Sequence, residues 1–133
     1  MTKNGRMASH IPVLVGAFDL SEGDVLEVGT GYFSTTLLHW LGATTGRKIV
    51  SYETDPKWYA HAKRYQCDYH DIIFVKNWND IPVDKKYWGL AFIDHAPAQQ
   101  RAKEIEQTHG INPWFVLESR SEKSDPSWMW VKE

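Results

Sequence analysis

The chain has 133 residues and a formal net charge of −2, from 15 Lys and Arg against 17 Asp and Glu. That length suits one domain able to remove about two-thirds of its unfolded surface from water, and the charge balance carries no basic signature for nucleic acid. Cys67 is the only cysteine, which excludes an internal disulfide; no apolar run nears about 18 residues and no charged-then-apolar leader is present, so nothing points to membrane or export and a cytoplasmic location is the expectation.

Met1 to Ser9 is a polar lead-in, and His10 to Leu20 is apolar enough to pack as a short helix, with Pro12 suited to its first turn. Ser21 to Asp24 is a turn. The stretch from Asp24 to Thr35 then organises the rest of the chain. Val25, Leu26 and Val28 read as a short buried strand, and Gly29 and Gly31 let the backbone turn sharply and a ligand approach without Cβ interference. Ser34, Thr35 and Thr36 offer an N-cap for a helix over the apolar run Leu37, Leu38, Trp40 and Leu41. Glu27 lies in the apolar strand. An unpaired carboxylate there costs several kcal/mol to bury, so Glu27 is expected to meet a strong donor such as a ligand ammonium or backbone N–H groups.

Gly42 to Arg47 ends the helix and Lys48 to Glu53 gives a second strand. Glu53 falls about twenty residues past the glycine turn, where a parallel βαβ unit brings one strand end beside the other. Its carboxylate either accepts from both hydroxyls of a ribose or, with Thr54 and Asp55, caps the helix that starts near Pro56. That helix runs to Gln66 with Trp58, Tyr59, Ala62 and Tyr65 as a packing stripe. Cys67-Asp68-Tyr69-His70 has no second Cys or His pair at ligand spacing, so no metal is assigned there.

Asp71 to Lys76 is the third strand, followed by the loop Asn77-Trp78-Asn79-Asp80. Lys85 to Asp94 is the fourth, ending in an acid before His95. Ala96 to Thr108 reads as a helix, Asn112 to Glu118 as a fifth strand, Ser119 to Asp125 as a polar turn and Pro126 to Val131 as an apolar tail. A fifth strand at the sheet edge leaves unpaired backbone groups, so the tail is expected to return and cover it, and the remaining flank predicts a homodimer.

Two nucleotide-binding patterns compete for the glycine turn. The dinucleotide pattern G-x-G-x-x-G finds Gly29 and Gly31 but meets Ser34 at its third glycine, and it has no use for Glu27. The pattern acid-x-Gly-x-Gly-x-Gly finds Glu27, Gly29 and Gly31 and meets Phe33 at its last position. With Tyr52-Glu53-Thr54-Asp55, the Asn77-Trp78 loop and Phe92-Ile93-Asp94-His95-Ala96-Pro97, the segment from Ile11 to Glu118 resembles the class I S-adenosylmethionine-dependent methyltransferases, in a short form similar to small-molecule O-methyltransferases.

The resemblance implies an α/β, Rossmann-like, open and mostly parallel sheet ordered 3-2-1-4-5, with helices on both faces, truncated relative to the full seven-stranded fold, and residues 1–133 forming a single domain. It implies S-adenosyl-L-methionine as cofactor, held by Glu27, Gly29, Thr30, Gly31, Tyr32, Glu53, Asn77 and Trp78, with Asp94 near the sulfonium and amino-acid end. Asn77 or Asp80 pairs with the adenine edge and Trp78 stacks on its face, unless the loop is a plain surface turn with Trp78 tucked into the core. The reaction it implies is methyl transfer to a small-molecule acceptor, with Asp94 and His95 as the catalytic pair. His95 has the intrinsic pKa of a general base, and a helix-capping or buried structural role is the alternative. Asp94 and Glu118 lack a third partner, so no metal is assigned. A non-catalytic nucleoside-binding module and an NAD-dependent oxidoreductase are the other classes to test.

Overall fold

A computed structural model of the protein describes residues 11–82, 88–93, 115–119 and 128–132. Within them the chain forms helices α1 (Ile11–Leu20), α2 (Ser34–Thr45) and α3 (Pro56–Ala62) and strands β1 (Val25–Val28), β2 (Ile49–Glu53), β3 (His70–Phe74), β4 (Leu90–Ile93), β5 (Phe115–Ser119) and β6 (Trp128–Lys132). The strands make one sheet in the order β3-β2-β1-β4-β5-β6. β1 to β5 pair in parallel, and β6 returns antiparallel on β5, with Phe115 opposite Lys132 and Ser119 opposite Trp128. The first four strands stand in the expected order, and the tail pairs within its own chain. The result is a reduced, mostly parallel Rossmann-like sheet.

β1, β2 and β4 are buried along their whole length because both of their faces are covered, as in parallel sheets, with Glu27, Ser51 and Glu53 the polar exceptions to an otherwise mostly apolar sequence. Alternation divides them into two cores. Val25, Ile49, Leu90 and Phe92 pack with Leu14, Ala17 and Phe18 of α1 and Leu38 of α2. On the other face Leu26, Val28, Val50, Tyr52, Ala91 and Ile93 pack with Ile81 and Trp88. The helix expected over Ala96 to Thr108 lies outside the described residues, so the placement of helices on that second face is not described.

α2 stops at Gly46, which takes the left-handed conformation (φ 77°) and returns its N–H to Gly42 O at 2.8 Å. The next residue, Arg47, staples α1 to this corner: its guanidinium donates to Phe18 O, Ser21 O and Gly23 O and lies 4.2 Å over the Phe18 ring. The helix expected to run to Gln66 leaves α-geometry earlier, passing after Ala62 into a 3₁₀ turn at Lys63–Tyr65. Asp55 caps α3, accepting from Lys57 N at 2.8 Å, with Pro56 at the first helical position. Cys67 and His70 close a tight antiparallel bridge before β3. No helix among the described residues is long and apolar enough to cross a membrane.

Candidate functional site

The glycine turn leaves the carboxyl end of β1 beside the end of β2, with Gly29 N bonded to Tyr52 O at 2.9 Å. Gly29 carries a φ of 95°, a conformation that L side chains rarely adopt. Gly31 does not share that need: its φ is not in the left-handed region, and an added Cβ would meet only Ser34 Oγ at 3.3 Å.

Glu53 lies over this turn, only 5% exposed. Its Oε1 accepts from both the amide and the hydroxyl of Thr30 at 2.7 Å. Its Oε2 accepts from Thr54 N at 3.0 Å and Asp55 N at 3.1 Å. Three backbone amides and a hydroxyl thus occupy both of its oxygens. Asp55, not Glu53, caps α3.

Glu27 differs from expectation. It is fully buried beneath the N-terminus of α2 and is held by hydroxyls: Ser34 Oγ at 2.6 Å, Thr35 Oγ1 at 3.0 Å and Ser51 Oγ at 2.7 Å. The parallel register explains this, because Ser51 lies beside Glu27 on the neighbouring strand and on the same face. The same bonds correct the capping assignment. Ser34 and Thr35 stand inside the helix, and Phe33 holds the N-cap position with no side-chain cap bond. Their hydroxyls go to the buried carboxylate, whose desolvation is the larger cost. Thr36 bonds back to Tyr32 O at 2.8 Å.

Behind Ser51 lies a group that periodicity did not single out. His70, fully buried, places Nε2 2.9 Å from Ser51 Oγ and Nδ1 3.1 Å from His39 Nδ1. His39 Nε2 in turn lies 3.1 Å from Tyr69 Oη. Burial pushes the His70 imidazole down to about 4, His39 adding to the fall and Asp71 opposing it, and burial lowers His39 as well. The sequence signal was Ser51, a lone hydroxyl in a strand whose other residues up to Glu53 are apolar, in register with an acid.

The remaining expected residues fall in two places. Tyr32 is 51% exposed and its ring lies 4.6 Å from Trp58 and 4.7 Å from His61, so it extends an aromatic ledge from the turn onto α3. Asn77 is exposed and uses its Oδ1 to accept from Asn79 N at 2.8 Å, starting the 3₁₀ turn Trp78–Asp80. Trp78 is half-buried and packs against the second core, with one side left toward solvent. Asp94 and His95 lie outside the described residues. No three His, Cys, Asp or Glu side chains among the described residues are grouped to hold a metal ion.

No protein-family model and no curated protein matches the chain. Solved structures do. A structure of the complex between the Haloferax volcanii Trm112 methyltransferase activator and a methyltransferase matches with a TM-score of 0.60 and 18% identity over 86% of this chain and 54% of that one. The Pyrococcus abyssi tRNA (uracil-54, C5)-methyltransferase with S-adenosyl-L-homocysteine matches at 0.59 and 15% identity over 86% of this chain and 29% of that one. The DhpI–SAH complex matches at 0.56 and 16% identity over 99% of this chain and 71% of that one. What the chain shares with these structures is the fold. This chain spans about half the length of the first of them, 54%, and less of the second, 29%.

Proposed function

We propose that the protein binds S-adenosyl-L-methionine across the glycine turn and transfers its methyl group to a small-molecule acceptor. The observation that carries this reading is the junction of Thr30 and Glu53 at 2.7 Å, which sets a carboxyl group over the turn at the carboxyl ends of two parallel strands, where open α/β sheets take their ligands. These residues fit the nucleoside half of the cofactor. Amides that cannot be removed by side-chain motion hold Glu53 in place, and the Thr30 hydroxyl is the donor a ribose hydroxyl exchanges with. Gly29 and Gly31 keep the floor of the turn clear, Tyr32 borders it, and Asn77 and Trp78 stand at the end of β3 for the edge and face of the adenine. Glu27 acts from beneath the turn, not as a contact.

The bound cofactor supplies an electrophilic methyl on a sulfonium. The protein's part is then alignment, which contributes several kcal/mol of the barrier, with Asp94 at the amino-acid end and His95 taking the proton of a hydroxyl acceptor. Incubation with S-adenosylmethionine and a panel of small hydroxyl and amine acceptors, followed by mass spectrometry, tests the reading: S-adenosylhomocysteine should accumulate with an acceptor present. Binding without turnover on any acceptor would leave a nucleoside-binding module, and absence of binding would overturn the reading.

A further inference from the structure

We infer that His70 is a positioning residue for the glycine turn, acting through Ser51 and Glu27 without reaching the crevice itself. The inference rests on the turn being the cofactor site and adds the residues that hold it in shape.

Two chains of hydrogen bonds converge on the Glu27 carboxylate. One starts at the turn: Gly31 N donates to Thr35 Oγ1 at 3.0 Å, and Thr35 donates to Glu27 at 3.0 Å. The other starts at the flank of the domain and passes through Tyr69, His39, His70 and Ser51. Proton counting fixes its direction. Ser51 has one hydroxyl proton, and it goes to the shorter of its two bonds, the one to Glu27 at 2.7 Å. Ser51 Oγ must then accept at 2.9 Å, so His70 carries its proton on Nε2. The lone pair left on His70 Nδ1 accepts at 3.1 Å from His39 Nδ1–H, and His39 Nε2 is free to accept from the Tyr69 hydroxyl, which also has His39 O at 2.9 Å. The one Tyr69 proton has two acceptors on His39, the ring nitrogen and the nearer carbonyl; from His39 inward each donor has one acceptor, and each bond polarises the next toward the carboxylate.

Packing keeps the chain in register. The His39 and His70 rings are stacked with centroids 5.3 Å apart, and the Tyr69 ring lies against Gly42, where a Cβ would come within 3.0 Å of it. Asp71, beside His70, is engaged by Lys48 at 3.2 Å and lies on the opposite side of its strand. Without the His70 donor, Ser51 is free to turn, Glu27 loses its alignment, and Thr35 no longer holds Gly31 N where the ligand meets the turn.

The test combines a tautomer measurement with calorimetry. Nitrogen-15 NMR of the ligand-free protein at neutral pH should find His70 in the Nε2–H form; the Nδ1–H form overturns the inference. His70→Leu, compared at a temperature where it is folded, should bind S-adenosylhomocysteine about tenfold more weakly, and His70→Gln, whose amide nitrogen reaches the place of Nε2, should recover to within about threefold. Equal affinity in His70→Leu, or no recovery in His70→Gln, overturns it. If His70→Leu does not fold, His39→Leu cuts the same chain one link further out and should weaken binding in the same direction. Wild-type protein that binds no S-adenosylhomocysteine overturns the cofactor reading instead, and the tautomer then decides the network alone.

Discussion

Glu27 and Glu53 stand on neighbouring parallel strands, both nearly inaccessible and both bonded through each oxygen, yet the donors differ in kind. Glu27 is held by the side chains of Ser34, Thr35 and Ser51, drawn from a helix and a strand. Glu53 is held chiefly by the amides of Thr30, Thr54 and Asp55. Side-chain donors lock an acid into the core and tie α2 to the sheet. Amide donors fix it at the mouth of a turn, with a single hydroxyl to exchange. An acid in the strand of a nucleotide fold is therefore a ligand contact only when its donors leave it facing the crevice.

The comparison breaks most easily at Glu27. Glu27→Leu strands three hydroxyls and the His70 donor in a dry interior and should cost about 3–5 kcal/mol of unfolding free energy, read in denaturant melts. A loss under about 1 kcal/mol would mean that Glu27 is not the centre of a buried network.

Acid comes next. Burial holds the His70 imidazole at about 4 in the folded protein, against 6.5 for a free imidazole. As pH falls below the unfolded value the unfolded chain takes up the proton first, so stability should drop from pH 6.5 and level off near pH 4, by on the order of 3 kcal/mol. Thermal melts across that window read it, and His70→Gln should flatten the slope.

Glu53→Ala should act on the ligand more than on the fold. The Thr30, Thr54 and Asp55 amides lose their acceptor near the surface, so stability should fall less than in Glu27→Leu, while affinity for S-adenosylhomocysteine falls about tenfold or more, the equivalent of losing roughly 1.4 kcal/mol. Trp78 gives the smallest effect: ligand addition should shift tryptophan emission, and Trp78→Ala should remove that change with the fold intact. A shift that survives in the mutant would leave Trp78 as core packing.

Much of the architecture was legible because it is carried by periodicity. Apolar runs at Val25–Val28, Ile49–Glu53 and Leu90–Ile93, with a glycine turn and a left-handed Gly46 between them, specify a parallel βαβ frame and the place where its strand ends meet. The side-chain network was not legible, because Glu27, Ser51 and His70 are far apart in sequence and meet only through strand register. The same blindness turned Ser34 and Thr35 into expected caps, when the nearer demand was a buried carboxylate. The early end of α3 was hidden by an amphipathic stripe that continues past Ala62 to Tyr65.

The most direct measurement is a calorimetric titration of wild-type protein, Glu53→Ala and Glu27→Gln with S-adenosylhomocysteine, alongside their thermal midpoints. The account predicts binding by wild type, a loss of affinity of about tenfold or more in Glu53→Ala, and a midpoint lowered further in Glu27→Gln than in Glu53→Ala. Wild-type protein that does not bind, or Glu53→Ala that binds as tightly as wild type, would contradict it.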